Sequence, residues 1–318
     1  MRSIALLALT LGVVAAVPTA PVPQPRPAAA RTMAVTIDDL PYVHRADTGF
    51  LAAAQRDTAK ILAALKAHHA PAIGFVNEDK LDAPTPAERE ARIALLRSWL
   101  AGGYTLGNHT YSHRGIDDVS AEAFVEEIDK GDRVTRGLAG PLHWFRHPMT
   151  HTGDTLEKRD AVARALAARG YRIAPHTIEN ADFVFDLAYA GADADTRARL
   201  RDAYVAHTLA ATAFAEEKAA ELFGRDDVPQ VLLIHANLIQ AEMLSPLLDR
   251  LSGRGYRFIT LDAAAADRAY ATPDVYVGRF GPNWLFRWSR TLAPSSNFKR
   301  DPEPPEWVTT MAYPPKRP

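Results

Sequence analysis

The sequence predicts an α/β protein in which helices surround a parallel sheet. Three observations carry that prediction. From Met33 onward short apolar runs alternate with longer helical patterns; the helices are punctuated by capping residues and glycines; and acidic, imidazole and guanidinium groups fall where the apolar runs end. The strand candidates are Ala34–Ile37, Ala72–Val76, Tyr104–Leu106, His143–Phe145, Tyr171–Ile173, Val231–Ile234 and Phe258–Leu261. Helical segments separate them, as parallel pairing requires, because a parallel connection must cross back over the sheet.

Each helix has its own signals. Thr85-Pro86-Ala87-Glu88 has the order of a capping box with proline at the first helical position, and Gly102-Gly103 closes that helix. Ser120 caps the next one. Gly170 ends a helix after Arg169, Gly224 ends the long pattern from Asp195 to Phe223, and Gly253 ends the one from Gln240. No repeat recurs at a fixed period. After Asp274 the pattern gives way to a tail holding Trp284, Trp288 and Trp307, with Phe280, Phe286 and Arg287 among them. Such aromatics can stack on sugar rings, but the commoner use is to pack a tail against the body of the protein, and packing is the expectation for 273–318.

The chain has 318 residues, 37 Lys and Arg against 38 Asp and Glu, and a formal net charge of -1. It lacks the basic excess that collects nucleic-acid phosphates. With no cysteine, disulfides, thiolate zinc sites and thiol nucleophiles are excluded, so a metal would be held by histidines and carboxylates. Arg2 precedes a 14-residue apolar stretch, Ile4–Val17, shorter than the roughly 20 residues of a spanning helix and typical of a signal-peptide core. Cleavage is expected after Ala20, with Ala16 second and an uncleaved membrane anchor as the alternative. Residues 21–32 read as a Pro- and Ala-rich linker, and folding begins near Met33. The protein is expected to be exported, periplasmic or extracellular.

In sheets of parallel strands, reactive groups gather where strands end. Asp38 and Asp39 follow the first strand candidate, His109 and His113 the third, Arg146 the fourth and His235 the sixth. The four-residue spacing of His109 and His113 would place both imidazoles on one side of a helical turn. That spacing alone is weak, since His143/His147 and His147/His151 share it. Asp39 supplies the choice: two adjacent carboxylates repel unless a cation or a shared proton relieves them, which points to Asp39, His109 and His113 as metal ligands.

These residues also carry a family resemblance. Thr36-Ile37-Asp38-Asp39-Leu40-Pro41 resembles Thr-Phe-Asp-Asp-Gly-Pro, the first motif of the polysaccharide deacetylases of carbohydrate esterase family 4, the NodB-homology group. His109-Thr110-Tyr111-Ser112-His113 matches the second, His-Ser/Thr-x-x-His. Phe145-Arg146-His147-Pro148 resembles the third, Arg-x-Pro-x-Gly, with its glycine displaced to Gly153. Asp182-Phe183 resembles the fourth, an Asp before Trp, and Leu232-Leu233-Ile234-His235 the fifth, Leu-x-Leu-His. All five stand in family order over about 200 residues, an order more specific than any one of them.

The resemblance implies a distorted (β/α)7-type barrel over 33–272 with a C-terminal extension. It implies one divalent ion, zinc first, on Asp39, His109 and His113, with Asp38 as general base and His235 as the acid for the departing amine. Arg146 would hold Asp38 ionised, and Asp182 would orient Arg146. The substrate would be an N-acetylated sugar or polysaccharide, chitin-like or peptidoglycan-like. Plainer readings stand beside these. Asp182 could form a rim ion pair, with Asp186 competing for its place, and His235 could be a satisfied core histidine. His147 and His151 could face substrate or decorate their loop, and His44 lies close to the first motif. Leu40, where the family has glycine, is expected to place an apolar group near the substrate's edge and to disfavour a left-handed backbone there. That departure keeps open a small amide or imide as substrate. A glycan-binding protein without turnover is the other rival, although no ligand or base has been lost. A phosphatase fits worse, because its paired aspartates are usually one residue apart.

Overall fold

The computed structural model describes residues 31–43, 49–295 and 301–314. The expected signal segment, the linker up to residue 30, and His44 lie outside the described residues. Eight strands are present among them: β1 (Arg31–Leu40), β2 (Ala72–Val76), β3 (Thr105–Asn108), β4 (Trp144–Phe145), β5 (Arg172–Ile173), β6 (Ile178–Glu179), β7 (Gln230–His235) and β8 (Tyr256–Ile259). Every pairing is parallel, in the order β5-β4-β3-β2-β1-β7-β6. β1 is central. Met33 and Ala34 pair with β7 on one edge and β8 on the other, and Val35 to Leu40 pass on to β2. Met33 through Asp38 are buried without alternation, as befits a strand covered on both faces.

Chain connectivity forces this sheet to curl. β5 and β6 lie at opposite ends of the strand order, yet only residues 174–177 join them, a reach of about 17 Å at most. Seven strands laid flat would put the two ends about 29 Å apart. The sheet is therefore bent toward closure, and the C-terminal strand ends converge at one mouth.

The helices α1 (Phe50–Ala67), α2 (Pro86–Ala101), α3 (Ala121–Lys130), α4 (Arg133–Ala139), α5 (Leu156–Ala168), α6 (Asp182–Ala190), α7 (Ala194–Phe223), α8 (Leu238–Gly253) and α9 (Leu261–Ala265) intervene between or follow the strands. Their starts follow the chemistry of the sequence: Thr85, Ser120 and Asn237 side chains accept the backbone N–H groups of Glu88, Ala123 and Gln240. Gly224 closes α7 in the left-handed conformation, φ 66°. At Thr260 the expected last strand stops early, because the hydroxyl accepts from Ala263 N–H and turns the chain into α9. β6, two residues long, offers no apolar run by which it could be expected.

Two further helices, α10 (Trp284–Leu292) and α11 (Glu306–Ala312), organise the tail. Trp284, Arg287 and Trp288 are buried, and Trp307 is partly covered. The Trp284 N–H donates to His176 O at 2.8 Å, and Gly278 N–H to Gly153 O at 3.2 Å. Gly281 is obligatory at this seam, since a Cβ there would lie 2.1 Å from Met149 O.

Candidate active site

The mouth of the sheet collects the side chains expected there. Asp38 and Asp39 lie at the end of β1, His109 directly after β3, Arg146 directly after β4, and His235 on the last residue of β7. β1 and β7 are in register at Asp38 and His235, so pairing alone sets the acidic and imidazole groups side by side.

Asp39, His109 and His113 each point a ligand atom into one cluster whose atoms lie within 4.8 Å of one another. His113 Nε2 is 3.5 Å and His109 Nε2 3.8 Å from Asp39 Oδ1. Contrary to what their spacing predicted, the two histidines do not share a helical turn. Residues 109–113 form a loop with Thr110 and His113 at positive φ, and the rings meet edge to face with centroids 4.9 Å apart. The loop is pinned by the Thr110 N–H to Asn108 Oδ1 and by Ser112, whose N–H and hydroxyl both donate to Glu127. His109 Nδ1 donates to Arg146 O at 2.7 Å; a carbonyl can only accept, so the lone pair of the neutral ring sits on Nε2, facing the cluster. Burial holds this imidazole far below its usual pKa, and therefore uncharged. Asp39 Oδ1 is buried and accepts no hydrogen bond. One carboxylate and two imidazoles with their ligand atoms gathered within 4.8 Å fit a divalent ion.

Lys80 was not anticipated. Its ammonium lies 3.3 Å from Asp39 Oδ1 and donates to Asp39 O at 3.1 Å. Burial would raise the Asp39 pKa, but Lys80, His113, His235 and His109 outweigh it and keep the carboxylate ionised. Lys80 sits just past β2, so the rule that found the other residues, a polar group after a strand end, would have found this one too.

Asp38 is buried deeper. Its Oδ2 is 3.8 Å from both His109 Nε2 and Arg146 Nη1, and its Oδ1 has no hydrogen-bond donor. Burial lifts its pKa to about 6, partly offset by Arg146 and His235. Arg146 is itself fixed by Thr36: Nη2 donates to Thr36 Oγ1 at 2.9 Å, and Thr36 donates to Leu232 O.

Asp182 is not paired with Arg146, contrary to the chain of charges expected from sequence. It holds His235 instead, with Oδ1 2.7 Å from Nδ1. Its Oδ2 accepts the His235 N–H, Asn237 Nδ2 and Gln240 Nε2 at 2.8, 3.0 and 3.1 Å. Asp182 begins α6 and His235 ends β7, a juxtaposition of two elements 53 residues apart that local sequence does not disclose. Burial alone would lower the His235 pKa; Asp182 overcomes it and raises the value to about 10. Asp186, the competing carboxylate, accepts the Ile239 N–H.

Leu40 also departs from expectation. Its side chain is fully buried, away from the mouth, in space left by Gly74, where a Cβ would come within 2.4 Å of Leu40 Cδ2. The positive φ falls one residue earlier, on Asp39 at 71°. His147 is buried and stacked on Phe124 at 5.7 Å, and His151 lies 3.0 Å from Asp117, so both serve their loop.

Residues 26–161 match the polysaccharide deacetylase family model. No curated protein matches the sequence. Among solved structures, a polysaccharide deacetylase from Bacillus cereus is similar at 17% identity, with 72% of this chain and 91% of that chain covered and a TM-score of 0.50. A mutant of a Bacillus anthracis pseudoenzyme of carbohydrate esterase family 4, with restored enzymatic activity, is similar at 16% identity, covering 74% of this chain and 67% of that one, TM-score 0.50. At such identity these likenesses establish the curled parallel fold. The matched segment holds the Asp38-Asp39 pair, both loop histidines and Arg146, and residues 26–161 thus belong to the polysaccharide deacetylase family.

Proposed function

We propose that the protein is a metal-dependent hydrolase of carbon–nitrogen bonds other than peptide bonds, which removes N-acetyl groups from an N-acetylated sugar or glycan. One observation carries the reading: a ligand cluster, a buried carboxylate and a carboxylate-charged imidazole, drawn from the ends of β1, β3 and β7, converge on a single mouth. Asp39, His109 and His113 would hold the divalent ion, zinc first, which when bound acidifies water and polarises the acyl oxygen.

The chain's own residues supply the rest. Asp38 takes the proton of the attacking water; its raised pKa makes it a better base than an exposed aspartate, while Arg146 keeps it ionised near neutral pH. Arg146 is aimed by Thr36, whose hydroxyl accepts its Nη2. His235, charged through Asp182, offers Nε2–H to the departing nitrogen, because Nδ1 is engaged by Asp182. Lys80 balances the Asp39 carboxylate. The burial of Leu40 removes the feature that had kept a small amide open, and the acetylated glycan is the better reading. Export to the periplasm or exterior is proposed from the N-terminal sequence, and no described helix is long and apolar enough to cross a membrane.

The test is acetate release from N-acetylchitooligosaccharides and peptidoglycan after chelation and after zinc is restored, with Asp38→Asn and His113→Ala alongside. The expected result is zinc-dependent release, lost in both variants, with metal retained by Asp38→Asn and lost by His113→Ala. Near-normal release and equal metal content in both variants would overturn the assignment.

A further inference from the structure

A cavity of about 470 Å³ adjoins the His235 side of the mouth, walled on one side by Glu179 and Phe183 and on the other by the tail. That volume lies in the range of small-molecule sites. Phe183 is shared between site and cavity: its ring meets His235 edge to face, centroids 6.0 Å apart, and it is 37% exposed. Across from it stand Tyr276 and Phe280, the latter 76% exposed, with Asp301 and Glu303. With Phe286 these rings give the cavity a contiguous aromatic lining, the kind of apolar patch that marks a binding groove.

The charge of this lining has one sign. Glu179, Asp301 and Glu303 contribute carboxylates, and no Lys, Arg or His is among the described lining residues. Arg290 stacks over the Phe286 ring at 5.3 Å and does not line the cavity. Asn283 Nδ2 donates to Asp301 Oδ2 at 2.5 Å, which fixes that carboxylate in place. Glu179 accepts no hydrogen bond among the described residues. Behind it His176 is fully buried with neither ring nitrogen hydrogen-bonded, Nε2 3.9 Å from Glu179 Oε2. Burial lowers the His176 pKa, so it is neutral and brings Glu179 no counter-charge. Burial, with Asp301, Asp182 and Asp38 nearby, pushes Glu179 up to about 7 although the charged His235 pulls it down.

We infer that this tail-built cavity is a subsite for a sugar ring bearing a free ammonium group, stacked on Phe183 and Phe280 and paired with the carboxylates of Glu179, Asp301 and Glu303. The inference rests on the deacetylase reading and deepens it. The leaving nitrogen faces His235, so the ring beyond it enters the cavity. The favoured substrate is then a glycan already partly deacetylated, with an amino sugar next to the N-acetylated unit being cut. Aromatic faces fit the apolar face of a pyranose, and cation–π attraction adds to stacking for the protonated sugar. A uniformly acetylated chain offers the aromatic contacts but not the charge.

The test is direct binding, by calorimetry at neutral pH and low salt, of the glucosamine trimer and the N-acetylglucosamine trimer to the full-length protein, without added metal and with zinc. The glucosamine trimer is expected to bind about tenfold or more tighter. The double variant Asp301→Asn, Glu303→Gln is expected to bring the two affinities to parity, and Phe280→Ala to weaken both trimers. Far-UV circular dichroism verifies that the variants are folded. Equal or tighter binding of the acetylated trimer by the parent protein, or an unchanged preference in the folded double variant, overturns the subsite. Acetate release is scored separately: charge-selective binding with no release from any acetylated glycan refutes the deacetylase reading while leaving the subsite intact.

Discussion

At the scale of single residues, the site depends on how two carboxylates at the mouth are paired. Asp38 faces Arg146, whereas Asp182 spends all its acceptors on His235 and its surroundings. On the proposed mechanism His235 must be protonated to act, so its pKa sets the alkaline limit of turnover. The folded value of about 10 lies above the ordinary 6.5, which makes the charged pair a stabilising interaction. Its contribution is fully present below about 6.5 and is lost as pH rises through 10. Asp182→Asn removes the charge while keeping the shape. We expect the alkaline limb of kcat/KM to move to lower pH, and stability at neutral pH to fall by about 1 to 3 kcal/mol. A pH–rate profile and urea denaturation check both, and an unmoved alkaline limb would remove His235 from the acid role. Sequence named both members of this pair but assigned Asp182 the wrong partner. Residue identity indicates which groups have chemistry, and only the fold indicates which of them meet.

At the scale of elements, the loops after the strands hold backbone that ordinary residues seldom adopt. Asp39, Thr110, His113, Met149, Thr150 and Ala181 all have positive φ, and each lies in or beside a mouth loop. Such conformations persist only where neighbours hold them, here Lys80 on Asp39 O, Glu127 on Ser112 and the tail on Thr150. Leu40 is the packing end of the same arrangement. Set in the space over Gly74, it anchors the residue next to Asp39 in the core. Gly74→Ala would drive a Cβ into Leu40 and cost about 1 to 3 kcal/mol, while Leu40→Ala would leave a cavity and cost about 2 to 5 kcal/mol. Because each change makes room for the other, the double variant is expected to be more stable than the sum by about 1 kcal/mol or more. Urea denaturation of the four proteins measures this coupling, and additivity would show that Leu40 does not depend on Gly74. The glycine lost from the first motif thus has a counterpart 34 residues later, a compensation that no local reading of Asp-Asp-Leu-Pro could reveal. β2, by contrast, was legible to the residue, because Ala72–Val76 is an unbroken apolar run of strand length.

At the scale of the whole molecule, the curled sheet leaves its mouth dependent on what closes it, and the tail does that work. Arg287 is the link. Its guanidinium is fully buried, lies over the rings of Trp284 and Tyr276 at 4.4 and 5.0 Å, and pairs with Asp274. It donates 2.7 Å bonds to Thr150 O and Thr152 Oγ1 and a 2.9 Å bond to Pro282 O. Thr150 and Thr152 belong to the loop that begins at Arg146, so the tail grips the segment that positions the Asp38 partner. Composition showed the tail to be aromatic and suggested packing. It could not show that one arginine would be the fastener, because a buried arginine reads in sequence like any exposed one. Arg287→Lys keeps the charge but loses the planar fork that reaches two oxygens of one loop. The expected result is a lower Tm and a several-fold lower kcat measured well below that Tm, with zinc content unchanged because no ligand is touched. Arg287→Ala leaves acceptors and Asp274 without their partner and is expected to cost about 3 kcal/mol or more. A lowered Tm with kcat unaltered in the folded Arg287→Lys protein would mean that the tail only covers the barrel. A fall in both would mean that residues beyond 273 are part of the machinery that holds Arg146 against Asp38.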